Sequence, residues 1–220
     1  MKNRVVYSGL LLLFVTGMLI TIMHYMPRPS AEIVINNNIQ PGVKWFIQQM
    51  ALYSDNAVMT FLHVTPAFIF MIIAPFQIWP SFRQNNSKAH QLMGKVFVIN
   101  SIFIFISSLY IAVVMPFAGI DETIVSFVIA ALFITFLTLG IVKIKQKDIA
   151  AHREWMCRML AMGLVPVTMR FFYSAMLIAF PKIDSTTVFS PALWMGLVVN
   201  WIIIELWLNH TRKQKLIYTS

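Results

Sequence analysis

Six long apolar runs restrict the fold of this 220-residue chain more than any other feature. Each run is long enough to cross about 30 Å of hydrocarbon, which takes roughly 20 helical residues. Because backbone groups in lipid have no water to bond, such runs must be helices. The sequence therefore predicts an all-α integral membrane protein, a single transmembrane domain over residues 1–220 built as a six-helix bundle. The predicted spans are residues 5–26, 58–79, 96–120, 123–142, 156–180 and 188–208.

The composition agrees with this interpretation and excludes other classes of protein. Hydrophobic residues make up 59% of the chain and charged residues 11%, whereas about a quarter of a soluble domain is charged. The formal net charge is +9, but no basic domain outside the spans is large enough to read a nucleic-acid groove. Membrane lipid is therefore the expected partner, and nucleic acid is not.

The distribution of Lys and Arg predicts the orientation. Of the 17 basic residues, one lies within a span and three flank the spans on one side, which leaves 13 on the other side. Cytoplasmic loops are enriched in Lys and Arg, so both termini should lie in the cytoplasm and the protein in the inner membrane. No small-x-small cleavage site follows the first run, which is therefore predicted to be a retained span. The first outer loop, 27–57, is expected to carry an interfacial helix at 41–52.

Ionisable residues inside spans cost a few kcal/mol unless they are paired, so they are candidates for function. His63 lies about 8 Å into the second span from the outer side, and Arg170 lies about 15 Å from the outer end of the fifth. His24 ends the first span at the same outer boundary. Pro166, four residues before Arg170, is expected to kink the fifth helix.

Two further histidines begin helical extensions on the cytoplasmic side. His90 precedes the third span and His152 precedes the fifth, with Ser87 and Asp148 as the expected N-caps. The two imidazoles should therefore lie at similar depth on different helices.

This placement is typical of a b-type haem, which takes one imidazole on each face of the iron. His90 and His152 are the predicted axial ligands. Propionates would pair with basic side chains at the cytoplasmic surface. The candidates for that pairing are Arg153, Arg83, Lys88 and Lys95. The predicted function is haem b binding and electron transfer, with a quinone or a protein redox partner as donor or acceptor.

Three alternatives remain open. His90 and His152 could be helix-end residues that bond lipid phosphate or backbone carbonyls and organise the bundle. A zinc hydrolase with three histidines is disfavoured, because His63 should lie roughly 20 Å from the other two. A small transporter would need a polar pathway, for which the candidates are His63, Arg170, Asn100 and Asn200.

Two segments carry a resemblance to a known family. The first is His63, Gln77, Phe82-Arg83 and His90-Gln91-x-x-Gly94-Lys95-Val96, and the second is His152-Arg153-Glu154-Trp155-Met156-Cys157-Arg158 followed by Ala161 and Arg170. Over residues 61–180 the chain resembles the bacterial membrane proteins known as domain of unknown function 2306. The resemblance implies a functional core of spans two to five, with no assigned activity.

A looser resemblance links the chain to six-span cytochromes of the b561 type. These proteins hold one haem between their third and fifth helices and another between their second and fourth. The predicted fourth span has no histidine, so the resemblance implies only the haem at His90 and His152. The candidate cofactor-binding residues are therefore His90, His152, His63, Arg153 and Arg170.

Overall fold

The structure, a computed structural model, describes residues 2–23, 47 and 51–219. Every regular element within these ranges is α-helical, which confirms the all-α part of the predicted fold class. The helices are α1 Lys2–Met23, α2 Ala57–Ile78, α3 Pro80–Asn85, α4 Ser87–Val114, α5 Ile120–Lys145, α6 Ile149–Gly163, α7 Val165–Ala179 and α8 Ser185–Thr219. Residues 51–55 are also helical.

Five stretches of the described chain are long and apolar enough to cross a membrane. They are α2, α4, α5, the pair α6–α7, and α8 as far as Arg212. Helix α1 is 22 residues long and packs against α2 and α7. The predicted interfacial helix 41–52 lies almost wholly outside the described residues, as does His24.

Several helix boundaries differ from the prediction. Helix α4 begins at Ser87, nine residues before the apolar span at 96, which confirms the predicted helical extension at His90. It ends at Val114, where the chain turns through 115–119 with Gly119 at φ 72°. The N-cap of α4 is Asn86, without a side-chain capping bond, so the expectation for Ser87 was wrong. The cap at Asp148 is confirmed, since its carboxylate accepts from the Ala151 amide at 3.0 Å.

The predicted fifth span consists of two helices. Helix α6 ends at Gly163 and α7 begins at Val165, with Pro166 in its first turn. Proline has no amide hydrogen and cannot continue the hydrogen-bond ladder of α6. The predicted distortion near Arg170 is therefore confirmed, as a break in the helix.

The helices form a closed bundle in which chain neighbours pack side by side. Helix α2 packs on α4, α4 on α5, α5 on α6 and α7 on α8, while α1 closes the ring between α2 and α7. The turn at 146–148 lies at one end, here called the basic end, with Lys143, Lys145 and Lys147. The turns at 115–119 and 180–184 lie at the other end, here called the distal end.

An aromatic layer crosses the middle of the bundle. It consists of Phe70, Phe97 and Phe133, all buried. The rings of Phe70 and Phe97 stack with centroids 4.9 Å apart, and Phe133 lies 6.3 Å from Phe70. Gly163 permits this packing, since a Cβ there would lie 2.7 Å from Cζ of Phe70. The break between α6 and α7 therefore packs directly against the aromatic layer.

Buried amides tie the helices together. Asn100 donates from Nδ2 to the Pro66 carbonyl at 2.8 Å, and Asn200 donates to the Ala161 carbonyl at 2.9 Å. Thr168 donates its hydroxyl to Oδ1 of Asn200 at 2.9 Å. In an apolar surrounding such bonds stabilise contacts between helices. These interactions give both asparagines, which were candidates for a polar pathway, a role in organising the bundle.

Large apolar side chains on the outer face of α4 point away from the core. Ile99, Phe103 and Ile106 are each more than half exposed. Such a surface is unfavourable in water, whereas lipid tails solvate it without cost. The exposed surface of α4 is therefore suited to contact with lipid, in agreement with the apolar composition of the sequence.

Candidate functional site

A cavity of about 240 Å³ lies in the distal half of the bundle, on the far side of the aromatic layer from the basic end. Residues from α1, α2, α4, α5, α6, α7 and α8 line it, together with one residue of the segment 51–55. We call it the distal cavity. Most of its wall is apolar. Its polar lining consists of Tyr53, His63, Ser108, Glu122, Ser126 and Arg170.

His63 reaches the cavity from α2 and is held by α4. Its Nδ1 lies 2.9 Å from the hydroxyl oxygen of Ser107. That hydroxyl also lies 2.7 Å from the Phe103 carbonyl and 3.1 Å from the Ile104 carbonyl. In the tautomer in which the hydroxyl donates to one of these carbonyls, Nδ1 of His63 donates to Ser107 and Nε2 is the acceptor nitrogen. The contact with Ser107 is a hydrogen bond between α2 and α4. The structure also places the imidazole in the cavity wall.

Glu122 was not among the residues that the sequence singled out. It lies in the first turn of α5, is 8% exposed, and its Oε2 accepts from the Ala118 amide at 2.7 Å. Its neighbour Asp121 is exposed. The order of the two acids gave no sign of which one turns inward, because that depends on the exact residue at which α5 begins.

Arg170 interacts with a residue that the sequence did not single out, Tyr53 of the segment 51–55. Tyr53 lines the same cavity and interacts electrostatically with Arg170 and Glu122. Burial raises the pKa of the Tyr53 phenol, Arg170 lowers it and Glu122 raises it. The phenol therefore keeps its hydrogen as a donor at neutral pH. The Thr60 hydroxyl donates to the Tyr53 carbonyl at 2.9 Å and fixes this segment against α2.

His90 and His152 come close together at the basic end, as predicted. Nδ1 of His152 lies 2.8 Å from the Gly140 carbonyl of α5. A carbonyl only accepts, so Nδ1 carries the hydrogen and Nε2 keeps its lone pair. Nδ1 of His90 is buried and has no hydrogen-bond partner in the described part of the chain. The two imidazoles are near enough to interact electrostatically.

Basic side chains surround the two histidines. Arg83 of α3 interacts electrostatically with His90 and with the buried thiol of Cys157. Arg153 also interacts with Cys157, and its guanidinium lies 5.1 Å from the ring centroid of Trp207. We call these residues the basic-end cluster. Its members are Arg83, His90, His152, Arg153 and Cys157.

The five predicted site residues therefore fall into two groups. His90, His152 and Arg153 belong to the basic-end cluster, while His63 and Arg170 line the distal cavity. The aromatic layer separates the groups, since Phe70 follows His63 by seven residues and Phe97 follows His90 by seven, or roughly 10 Å along each axis. Within the residues that the structure describes, no group of three or more His, Cys, Asp or Glu side chains could hold a metal ion.

Much of the segment His152–Arg158 has a packing role. Trp155 stacks on Phe136 of α5 with centroids 5.6 Å apart. A Cβ at Gly140 would lie 2.7 Å from the sulfur of Met156, so that glycine admits the methionine. Arg158 makes two bonds to Glu205 of α8, at 2.5 and 3.0 Å. The segment thus docks α6 against both neighbours, and only His152, Arg153 and Cys157 are directed to the basic-end cluster.

Apolar helices that enclose two polar regions define a multi-pass membrane protein. A family model described as predicted membrane protein, domain of unknown function 2306, matches residues 60–208, and the chain belongs to this family. The match extends beyond the expected limit of 180 into α8. No curated protein and no solved structure matches significantly. The resemblance to b561-type cytochromes gains no support from these comparisons.

Proposed function

We propose that the protein lies in the cell inner membrane with α1 as a sixth span and both termini in the cytoplasm. The basic end carries most of the lysines and arginines that flank the helices, and such enrichment is typical of the cytoplasmic side. Helix α1 has 22 residues and packs into the bundle, a length that suits a span.

We further propose that the basic-end cluster binds one haem b, with His90 and His152 as axial ligands, and that the protein transfers electrons. His90 of α4 and His152 of α6 are 62 residues apart in the chain, yet their imidazoles are near enough to interact electrostatically. This observation supports the proposal. A hydrogen bond from Nδ1 of His152 to a carbonyl leaves Nε2 for iron, as is usual for ligating histidines. The His90 ring has a buried Nδ1 atom without a hydrogen-bond partner in the described part of the chain, and a ligand role would give this ring a partner.

The remaining members of the cluster fit the same cofactor. Arg83 interacts electrostatically with His90, and Arg153 follows His152 in the chain. Propionates pair well with such guanidinium groups. Haem would supply one-electron chemistry at this end of the bundle. The protein would hold it between helices, exclude water and set its potential through the imidazoles. The donor or acceptor is a quinone or a protein redox partner.

The test is an absorption spectrum of the purified protein, oxidised and dithionite-reduced, after expression with haem supplied. The expected result is a b-type reduced α-band at about one haem per chain. His90→Ala and His152→Ala should each abolish it. His210→Ala is the matched control, because His210 lies exposed near the end of α8 and should leave the spectrum unchanged.

A second candidate function is suggested by the His152–Gly140 bond itself. That bond ties α6 to α5, and a histidine that only organises the bundle would make the same contact. A colourless wild-type protein whose His152→Ala variant unfolds more easily would support this reading and remove the haem proposal. A full haem spectrum in both alanine variants would show that the axial pair is wrong.

A further inference from the structure

We propose that the distal cavity binds a quinone or quinol, that is, an uncharged flat ring with oxygen atoms at opposite edges. The role of this ligand as electron donor or acceptor rests on the proposed haem function. Its binding rests on the cavity alone, and the two can be tested separately.

The size of the cavity matches a ring and not a long chain. Its volume is about 240 Å³, which equals roughly eight water molecules at about 30 Å³ each. A single or fused ring with small substituents occupies this space. A long isoprenoid tail would have to remain outside, among the lipid chains.

The walls of the cavity suit an aromatic guest. Phe70, Phe105, Phe133 and Phe189 all contribute to the lining. Aromatic rings pack against one another in offset or edge-to-face arrangements that add to the gain from burial alone. A flat ring would therefore be held more firmly than a flexible acyl chain of equal volume.

The charges in the cavity favour a ligand without net charge. A guanidinium from Arg170 and a carboxyl from Glu122 both line it. An ionised ligand would bring a further charge into a region of low dielectric, where a charge without compensation is costly. A neutral ligand that forms hydrogen bonds avoids this cost.

The hydrogen-bonding groups match both oxidation states of such a ligand. Arg170 and the Tyr53 phenol are donors for the carbonyl oxygens of a quinone. The His63 imidazole lies in the wall, and in the tautomer in which Nδ1 donates to Ser107 its Nε2 is an acceptor. That nitrogen and the Glu122 carboxyl can accept from the hydroxyls of a quinol. These groups come from α2, α5, α7 and the segment 51–55, so they approach the cavity from several sides.

The test measures binding of decylubiquinone to the purified protein, without added haem, by titration of the intrinsic tryptophan fluorescence. Saturable binding at one ligand per chain is expected. Tyr53→Phe should weaken it about fivefold, the effect of one lost neutral hydrogen bond, and Arg170→Gln by about tenfold or more, since a charged donor is lost. Tyr110→Phe is the matched control, because the structure does not place Tyr110 among the residues that line the cavity.

A second variant covers the case in which Arg170→Gln fails to fold. Ala130→Phe would fill the cavity from its wall and leave every polar group in place, and its helix content is checked by circular dichroism. Folded Ala130→Phe protein should lose decylubiquinone binding. Undiminished binding in Ala130→Phe or in both polar variants would overturn the proposal, as would Arg170-dependent binding of decanoate without binding of decylubiquinone.

The haem ligand variant separates this inference from the proposed function. His152→Ala should lose haem and keep decylubiquinone binding, because the aromatic layer lies between the two regions. A colourless wild-type protein that still binds decylubiquinone would end the electron-transfer role and leave the binding site standing. A wild-type protein that shows the haem spectrum but does not bind decylubiquinone would contradict only the proposed quinone site.

Discussion

Single residues in this protein act through the space that they leave as much as through the groups that they carry. Gly163 is the best example, because the rings of Phe70 and Phe133 occupy the place where its side chain would lie. Asp121 and Glu122 show the same sensitivity in their polar groups. They are chain neighbours, yet one is exposed and the other is buried at the distal cavity.

Replacement of Gly163 by alanine should destabilise the protein. The new Cβ would lie 2.7 Å from Phe70 and 3.2 Å from Phe133, and overpacking of this kind costs about 1–3 kcal/mol. Thermal unfolding in detergent measures the change. Gly9→Ala is the matched control, since nothing lies within 4 Å of its added Cβ. Equal stability of the Gly163→Ala variant and the wild type would mean that the aromatic layer can move aside.

At the scale of helices, α6 is held by side chains directed to both of its neighbours. On one side, Trp155 of α6 stacks on Phe136 of α5, and Met156 of α6 packs against Gly140 of α5. On its other side the Arg158 guanidinium makes a two-bond pair with Glu205 of α8. The Arg158 side chain is 11% exposed and the Glu205 side chain 28%, so solvent screens this pair less than a surface pair.

Loss of the carboxylate in Glu205→Gln should weaken the docking of α6 on α8. The expected loss of unfolding free energy is about 1–3 kcal/mol, because a partly buried guanidinium keeps a neutral acceptor at 205 and only the more distant Glu154 carboxylate, at 3.7 Å, as a charged partner. A double-mutant cycle with Arg158→Met isolates the pair, and Asp121→Asn serves as control for removal of an exposed acid. Additive effects of Glu205→Gln and Arg158→Met would show that the ion pair contributes nothing.

At the scale of the whole molecule, two polar regions lie at opposite ends of an apolar bundle with an aromatic layer between them. The basic end gathers positive charge around two imidazoles. The distal cavity combines a guanidinium, a carboxyl, a phenol and an imidazole within apolar walls. The two ends of the bundle therefore carry different polar groups, and the proposed functions depend on which end faces the cytoplasm.

Labelling of single cysteines in whole cells tests that orientation. In a Cys157→Ser background, Lys147→Cys lies in the turn at the basic end and Asp184→Cys in a turn at the distal end. A membrane-impermeant maleimide should label the cysteine at 184 in intact cells and the cysteine at 147 only after permeabilisation. The reverse pattern would place the basic end outside.

Comparison of prediction and structure shows what each kind of information can supply. Helix number in the core, approximate spans and the approach of His90 to His152 could be predicted, because apolar length, rise per residue and depth are local properties of a chain in a bilayer. The N-cap of α4 and its C-terminal end were mispredicted, since Asn86 and Ser87 are both reasonable caps by type and the apolar run continues past Val114 to 120. Tyr53 was missed because a tyrosine in a loop carries no signal of what it contacts.

The sequence by itself determined that this protein is an all-helical membrane protein, and it singled out the polar groups that lipid would not tolerate unpaired. Only the tertiary structure decided that His63 and Arg170 share a cavity with Tyr53 and Glu122, while His90 and His152 share the other end. The reason is physical: a spacing along one helix sets depth, but neighbours on different helices are set by how bulky side chains pack. In this protein, the packing of Phe70 and Phe133 against Gly163 and the helix break before Arg170 determine which residues become neighbours.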